Sequence, residues 1–226
     1  MAKIARSIKN FIKSILHFFF EQLNYLIPGV SKIEQFLYEF RIECMHKHTG
    51  YAAFSKILRS FIPPKAKVLD LGCNKGFETK IITETNHRAV GVDVYKSFVK
   101  IARKRGVEAQ VMDFHNLTFF EEFDCVYSNN TLEHATEPEK VVRGVYKALK
   151  PGGIFIIGMP LDGNNLLIKD PAHFYRTKEN DVVELLKQNN FRIIHKEIID
   201  TKRRWDWENP PCDNKMLICV AQKLKI

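Results

Sequence analysis

The stretch that decides the fold is Val68-Leu69-Asp70-Leu71-Gly72-Cys73-Asn74-Lys75-Gly76. A short apolar run ends in an acid and passes into a loop bounded by Gly72 and Gly76. That is how a strand breaks into a tight turn and opens a helix, with the backbone free to approach a ligand at the helix N-terminus. A Gly-x-x-x-Gly spacing alone says little. Its weight comes from the acid two residues upstream and from the order of elements downstream.

After residue 76, short apolar runs alternate with helical patterns. Strands are predicted at 66–71, 88–92, 109–112, 123–127 and 154–158, and helices at 76–85, 97–104 and 138–149. Lys150-Pro151-Gly152-Gly153 reads as the turn that closes the last of these helices. This grammar specifies a mostly parallel sheet with helices on both faces. A further helix is predicted at 178–189, then strands at 191–201 and 215–221. The link between those two strands contains Pro210 and Pro211 and has no helical pattern, too short for a parallel crossover, so the pair is expected to be antiparallel.

Upstream of residue 65 the pattern is helical throughout. Residues 3–26 set Ile4, Ile8, Phe11, Ile12, Ile15 and Phe19 on one face and Lys3, Arg6, Lys9 and Lys13 on the other. Two more helices are expected at 32–48 and 51–61, before Pro63-Pro64. The expected organisation is a helical N-terminal extension, 1–64, and an α/β domain, 65–226. The extension would lid an acceptor pocket, meet a partner such as a second copy in a homodimer, or lie in a membrane interface with its phenylalanines immersed.

Composition bounds the function. The chain has 226 residues, 45% hydrophobic and 27% charged, enough for one core without disulfides. No stretch is apolar enough over about 18 residues to span a membrane. The net charge of +9 favours an anionic partner, but it is concentrated in the first 20 residues, in Lys100-to-Arg105, and in Lys202-Arg203-Arg204 beside Trp205 and Trp207. No nucleic-acid-binding module accompanies these clusters, which makes nucleic acid the lesser partner. Five cysteines, odd in number and never spaced C-x-x-C, suit a reducing, cytoplasmic setting. An apolar run at 15–20 lacks a cleavage site, which argues against a signal peptide.

Three acids end three successive strands: Asp70, Asp93 in Gly91-Val92-Asp93-Val94, and Asp113 in Val111-Met112-Asp113-Phe114. An acid about twenty residues past the glycine loop suits two ribose hydroxyls. Three carboxylates in one crevice suit an adenosine with a cationic amino group and fit a pyrophosphate poorly, because like charges repel.

With Phe123-to-Gly153 and Ile154-to-Pro160, these segments resemble the class I S-adenosylmethionine-dependent methyltransferases, of the broad small-molecule type known as methyltransferase domain 11. The resemblance spans about residues 65 to 222 and implies a Rossmann-like seven-stranded sheet of order 3-2-1-4-5-7-6 with strand 7 antiparallel. It implies S-adenosyl-L-methionine as cofactor and S-adenosyl-L-homocysteine as product. By the same resemblance Asp70, Gly72, Cys73, Asn74, Gly76 and Asn129 border the methionine part. Asp93 meets the ribose, Val94 beside it is a further cofactor contact, and Asp113 and Phe114 meet the adenine. Asn74 stands where the family has glycine; asparagine tolerates positive φ, so the turn should survive.

A hydroxyl acceptor needs a general base. His134, after the fourth strand, and His173, in the loop after the fifth, are the candidates. Tyr175, Arg176 and Trp205 are candidates for the acceptor pocket. The reading is methyl transfer to a hydroxyl of a small molecule or glycan. RNA is the alternative acceptor, and a nicotinamide-dependent oxidoreductase or a non-catalytic scaffold is the alternative class. No metal site is expected.

Overall fold

The computed structural model describes residues 57, 60–161, 174–175, 178–200 and 215–225. The chain divides into two units, Met1–Tyr51 and Ala52–Ile226, and every described residue belongs to the second. The helices expected at 3–26 and 32–48 lie outside the described residues. Of the helix expected at 51–61, positions 57, 60 and 61 are described and are helical.

The strands are β1 Lys67–Leu71, β2 Arg88–Asp93, β3 Glu108–Val111, β4 Phe123–Asn129, β5 Leu149–Pro160, β6 Phe191–Asp200 and β7 Lys215–Lys223. They form one sheet of order β3-β2-β1-β4-β5-β7-β6. β1 to β5 pair in parallel, and β7 runs antiparallel to both β5 and β6. This is the expected order and the expected antiparallel ending. The helices are α1 Phe77–Glu84, α2 Lys96–Lys104, α3 Pro138–Ala148 and α4 Glu179–Gln188.

Strand alternation sorts the core into two faces. Leu69, Leu71, Val90 and Val92 join Val141, Val142 and Val145 of α3 and Val182 and Leu186 of α4. Val68, Cys125, Tyr127, Ile156 and Val220 face the other way and pack with Ile82 of α1, together with Ile57 and Ile62. Burying each such aliphatic side chain contributes about 1.5–3 kcal/mol over leaving it exposed. Asp70 has the parity of Val68, and Asn129 that of Tyr127, so both belong to the α1 face.

One boundary differs from expectation. Lys150-Pro151-Gly152-Gly153 lies inside β5, where pairing with β4 jumps from Phe123↔Leu149 to Cys125↔Ile154. The turn residues make an irregularity rather than ending the strand, with Gly152 at φ +78°. Asp124 pins it: the Lys150 ammonium donates to Asp124 Oδ1 at 2.7 Å, and the Lys67 backbone N–H donates to Oδ2 at 2.8 Å. Burial alone would raise the Asp124 carboxyl, but these donors hold it below the ordinary carboxylate range.

Candidate active site

The crevice lies at the C-terminal ends of β1, β2 and β4, on the two sides of the point where strand order reverses. After β1 the backbone N–H groups of Gly72 and Cys73 both donate to the Val92 carbonyl at 2.9 Å, stapling the loop to β2. Gly72, Asn74 and Gly76 stand at φ +75°, +49° and +76°. Asn74 thus takes the left-handed conformation that its substitution for glycine requires.

The glycines have a packing reason besides ligand approach. A Cβ on Gly72 would lie 2.5 Å from both Cγ2 and Oγ1 of Thr131, and one on Gly76 would lie 2.6 Å from the Ala102 Cβ. Cys73 is buried among Val99, Ala102, Val107 and Ala109. Burial pushes its thiol up, so it is inert, and its backbone is what it offers a ligand.

Asp93 holds two turns together. Its Oδ2 accepts from the Asn74 backbone N–H at 2.8 Å and its Oδ1 from that of Tyr95 at 2.9 Å. Each oxygen keeps a further lone pair for a hydroxyl. Val94 beside it is 53% exposed. Asp113 caps a 3-10 turn, Phe114–Asn116. Its Oδ1 accepts from the His115 backbone N–H at 2.9 Å and from His115 Nδ1 at 2.8 Å, and Asn116 Nδ2 donates to its Oδ2 at 3.1 Å. Partial burial pulls the carboxyl up, but these bonds leave it below the ordinary range.

His115 is not among the sequence candidates, and the structure gives it a clear task. The Thr136 backbone N–H donates to its Nε2 at 3.2 Å, which places the ring proton on Nδ1. The imidazole therefore ties the turn after β3 to the segment after β4.

Asp70 is 2% exposed and accepts from Thr79 Oγ1 at 2.6 Å. Desolvation, with a smaller push from Asp93 and against the Thr79 bond, raises its carboxyl to about 7. Glu78, on the first turn of α1, is a second residue that the sequence does not single out. Desolvation, reinforced by the charge of Asp70, raises it to about 8, although Asn129 and Tyr127 hydrogen-bond to it. Asn129 Nδ2 donates to Glu78 Oε1 at 2.8 Å.

Raised acids bind protons more tightly in the folded chain than in the unfolded one. Their contribution to the ligand-free fold therefore declines as pH climbs from the ordinary carboxylate range through about 7 to 8. Melting without cofactor is expected to drop by roughly 2–8 °C between about pH 5.5 and 8.5, at about 2–4 °C per kcal/mol for a chain of this length. Glu78→Gln should flatten that slope. A wild-type curve no steeper than the variant's would contradict it.

His134 closes the 3-10 turn Leu132–His134, ahead of α3 rather than at its start. Leu132 and Ala135 are buried and anchor that turn in the core. The Tyr175 backbone N–H donates to the Glu133 carbonyl at 3.0 Å, which brings the segment after β5 onto the turn that carries His134. Burial first, and Asp181 second, push the Tyr175 phenol up to about 12. His173, Arg176 and Trp205 lie outside the described residues.

A separate cavity of about 630 Å³ is lined by residues 60–64, Asp124, Lys150 to Ile154 and Gln222. It sits at the N-terminal ends of β1 and β4 and contains none of the candidate residues. Among the described residues no group of three or more His, Cys, Asp or Glu side chains is placed to hold a metal ion. No helix among them is long and apolar enough to cross a membrane.

Residues 69–157 match the family described as Methyltransferase domain. An uncharacterized protein of Methanocaldococcus jannaschii is 29% identical over 171 residues, 71% of this chain and 74% of its own. The cypemycin N-terminal methyltransferase of a Streptomyces species is 37% identical over 117 residues, covering 48% of this chain and 44% of that enzyme. The solved structure of an S-adenosylmethionine-dependent methyltransferase from Methanosarcina mazei has the same fold, with a TM-score of 0.62 at 18% identity, over 75% of this chain and 98% of its own. Over residues 69–157 the chain matches a methyltransferase domain, and its described sheet has the fold of the solved methyltransferase.

The methyltransferase domain has features that fit the cofactor. The 72–76 loop takes left-handed turns at Gly72, Asn74 and Gly76 and runs directly into the N-terminus of α1. Val94 offers exposed apolar surface at the end of β2 beside Asp93, and Phe114, partly buried against the core, follows Asp113. Asn129 Oδ1 is buried without a hydrogen-bond partner among the described residues. An orphaned acceptor of this kind costs about 1–3 kcal/mol unless a ligand donates to it.

Proposed function

We propose that the protein methylates a hydroxyl group of a small molecule or glycan, with Asp70, the 72–76 loop, Asp93, Asp113 and Asn129 holding the cofactor. When bound, the cofactor supplies an electrophilic methyl on a sulfonium and leaves as a neutral thioether. The residues of this chain then have three tasks: to hold the cofactor's ribose and amino-acid ends, to align the acceptor oxygen with the methyl, and to take up the acceptor's proton.

The observation that carries the acceptor side is the Tyr175 N–H to Glu133 carbonyl bond. It joins the loop after β5 to the turn of His134, beside the end of β4. A histidine there is suited to accept the hydroxyl proton as the new C–O bond forms and the C–S bond breaks, its electron pair staying on sulfur. His173, two residues before Tyr175 in sequence, is the second candidate base. Arg176 and Trp205 are the proposed acceptor contacts, and residues 3–26 the proposed membrane or partner contact.

Incubation with methyl-labelled S-adenosylmethionine and pools of hydroxyl- and amine-bearing acceptors tests this reading. Label in an O-methyl product is expected. Label confined to amines, the acceptor class named for the cypemycin relative, would overturn the hydroxyl assignment. His173→Ala and His134→Ala should each be measured for kcat and for cofactor affinity. The base should lose about 10²-fold or more in kcat with cofactor binding intact. If neither variant does so, neither histidine is the base.

A further inference from the structure

We propose that Glu78 is the positioning residue for the amino-acid end of the cofactor, its carboxylate pairing with the α-ammonium while Asn129 holds both. The inference rests on the proposed cofactor site and adds a residue to it.

Topology brings the three groups together. β1 and β4 are parallel neighbours in the register Asp70↔Tyr127 and Leu71↔Ser128, so Asn129 comes level with Gly72 at the head of the loop. Alternation directs Asp70, Tyr127 and Asn129 to the α1 face. α1 starts directly after Gly76, which returns its second residue, Glu78, over the ends of those two strands. Asn129 Nδ2 then donates to Glu78 Oε1 at 2.8 Å.

This leaves the amide with its nitrogen satisfied and its Oδ1 buried without a hydrogen-bond partner among the described residues. The missing partner is a donor. Next to it is the Glu78 carboxylate, which Asn129 contacts and which the charge of Asp70 disfavours, so a cation beside it is favourable. A donor that is also a cation describes an ammonium. The cofactor's sulfonium is cationic but has no N–H to give.

Of the three carboxylates nearest the loop, Glu78 is the one that Asn129 contacts. Asp70 is 2% exposed and bonded to Thr79. Asp93 has a backbone N–H on each oxygen. Glu78 is partly exposed as a residue, while its carboxyl is desolvated.

Calorimetry with three probes tests this. S-adenosylmethionine has ammonium and sulfonium, S-adenosylhomocysteine has the ammonium alone, and 5′-deoxy-5′-methylthioadenosine has neither. Glu78→Gln, an isosteric change, is expected to weaken the first two about 10- to 100-fold and to leave the third unchanged. Unchanged methylthioadenosine binding also shows that the variant folds. Glu78→Asp, which keeps the charge, should recover part of the S-adenosylhomocysteine affinity and serves if the glutamine variant does not fold.

Loss of the sulfonium compound alone would move Glu78 to the sulfur and overturn the assignment. Equal loss of all three would make it a structural residue, and no loss would remove it from the site. If the wild-type protein binds none of the three, the cofactor reading itself fails, whatever the variants do.

Discussion

Asp93→Ala should bring S-adenosylmethionine and S-adenosylhomocysteine binding down by 100-fold or more, beyond what calorimetry reads. Two contributions add. In the proposed site the carboxylate accepts two ribose hydroxyls, and hydrogen bonds to a charged group contribute about 1.5–3 kcal/mol each. At about 1.4 kcal/mol per decade, losing both removes at least two decades of affinity. The same carboxylate accepts the Asn74 and Tyr95 N–H groups at 2.8 and 2.9 Å, so the alanine also removes one tie of the glycine loop to β2, leaving those to the Val92 carbonyl. Asp93→Asn separates the contributions. It keeps one acceptor oxygen but turns an NH2 group toward the other N–H or hydroxyl, and should lie between wild type and alanine. Binding by Asp93→Ala within about threefold of wild type would end the ribose assignment.

The fold is legible in the sequence because its decisive signals are local. Val68 to Gly76 specifies a strand, a turn and a helix start without reference to the rest of the chain. The prolines between β6 and β7 foretell antiparallel pairing because a parallel crossover needs a length that the segment lacks. The start of β5 is illegible for a corresponding reason. Lys150-Pro151-Gly152-Gly153 has turn chemistry, and only the Asp124 contacts with Lys150 and Lys67, made across the sheet, keep it inside the strand.

The site is legible wherever a residue ends a strand, and illegible wherever its role is created by packing. Glu78 reads as an acid on the first turn of a helix, which the helix dipole already explains. Its meaning appears only when β4 comes alongside β1 and sets Asn129 against it. His115 has no motif, yet it links Asp113 to Thr136 through both ring nitrogens. The net charge of +9 points away from this chemistry. The proposed cofactor crevice is lined by carboxylates, which suit a cationic ligand.

Gly72→Ala should be the second severe change, and its cause is separable. The new methyl would lie 2.5 Å from Thr131 Cγ2 and Oγ1 and 3.1 Å from its Cβ. Thr131 has little room to retreat: it is buried, and its hydroxyl donates to the Asn129 carbonyl at 3.2 Å. Overpacking of this kind costs about 1–3 kcal/mol, and an alanine held at φ +75° adds about 1–2 kcal/mol. Displacing Thr131 also shifts Asn129, two residues away, so cofactor affinity should drop by about 100-fold with the melting temperature. Thr131→Ala deletes the two colliding γ atoms and leaves only the 3.1 Å approach. In the Gly72→Ala/Thr131→Ala protein the steric part should therefore return, as a coupling of about 1–3 kcal/mol, while the backbone part persists. Additive losses in the double variant would show that the left-handed backbone alone, not the contact with Thr131, demands glycine at position 72.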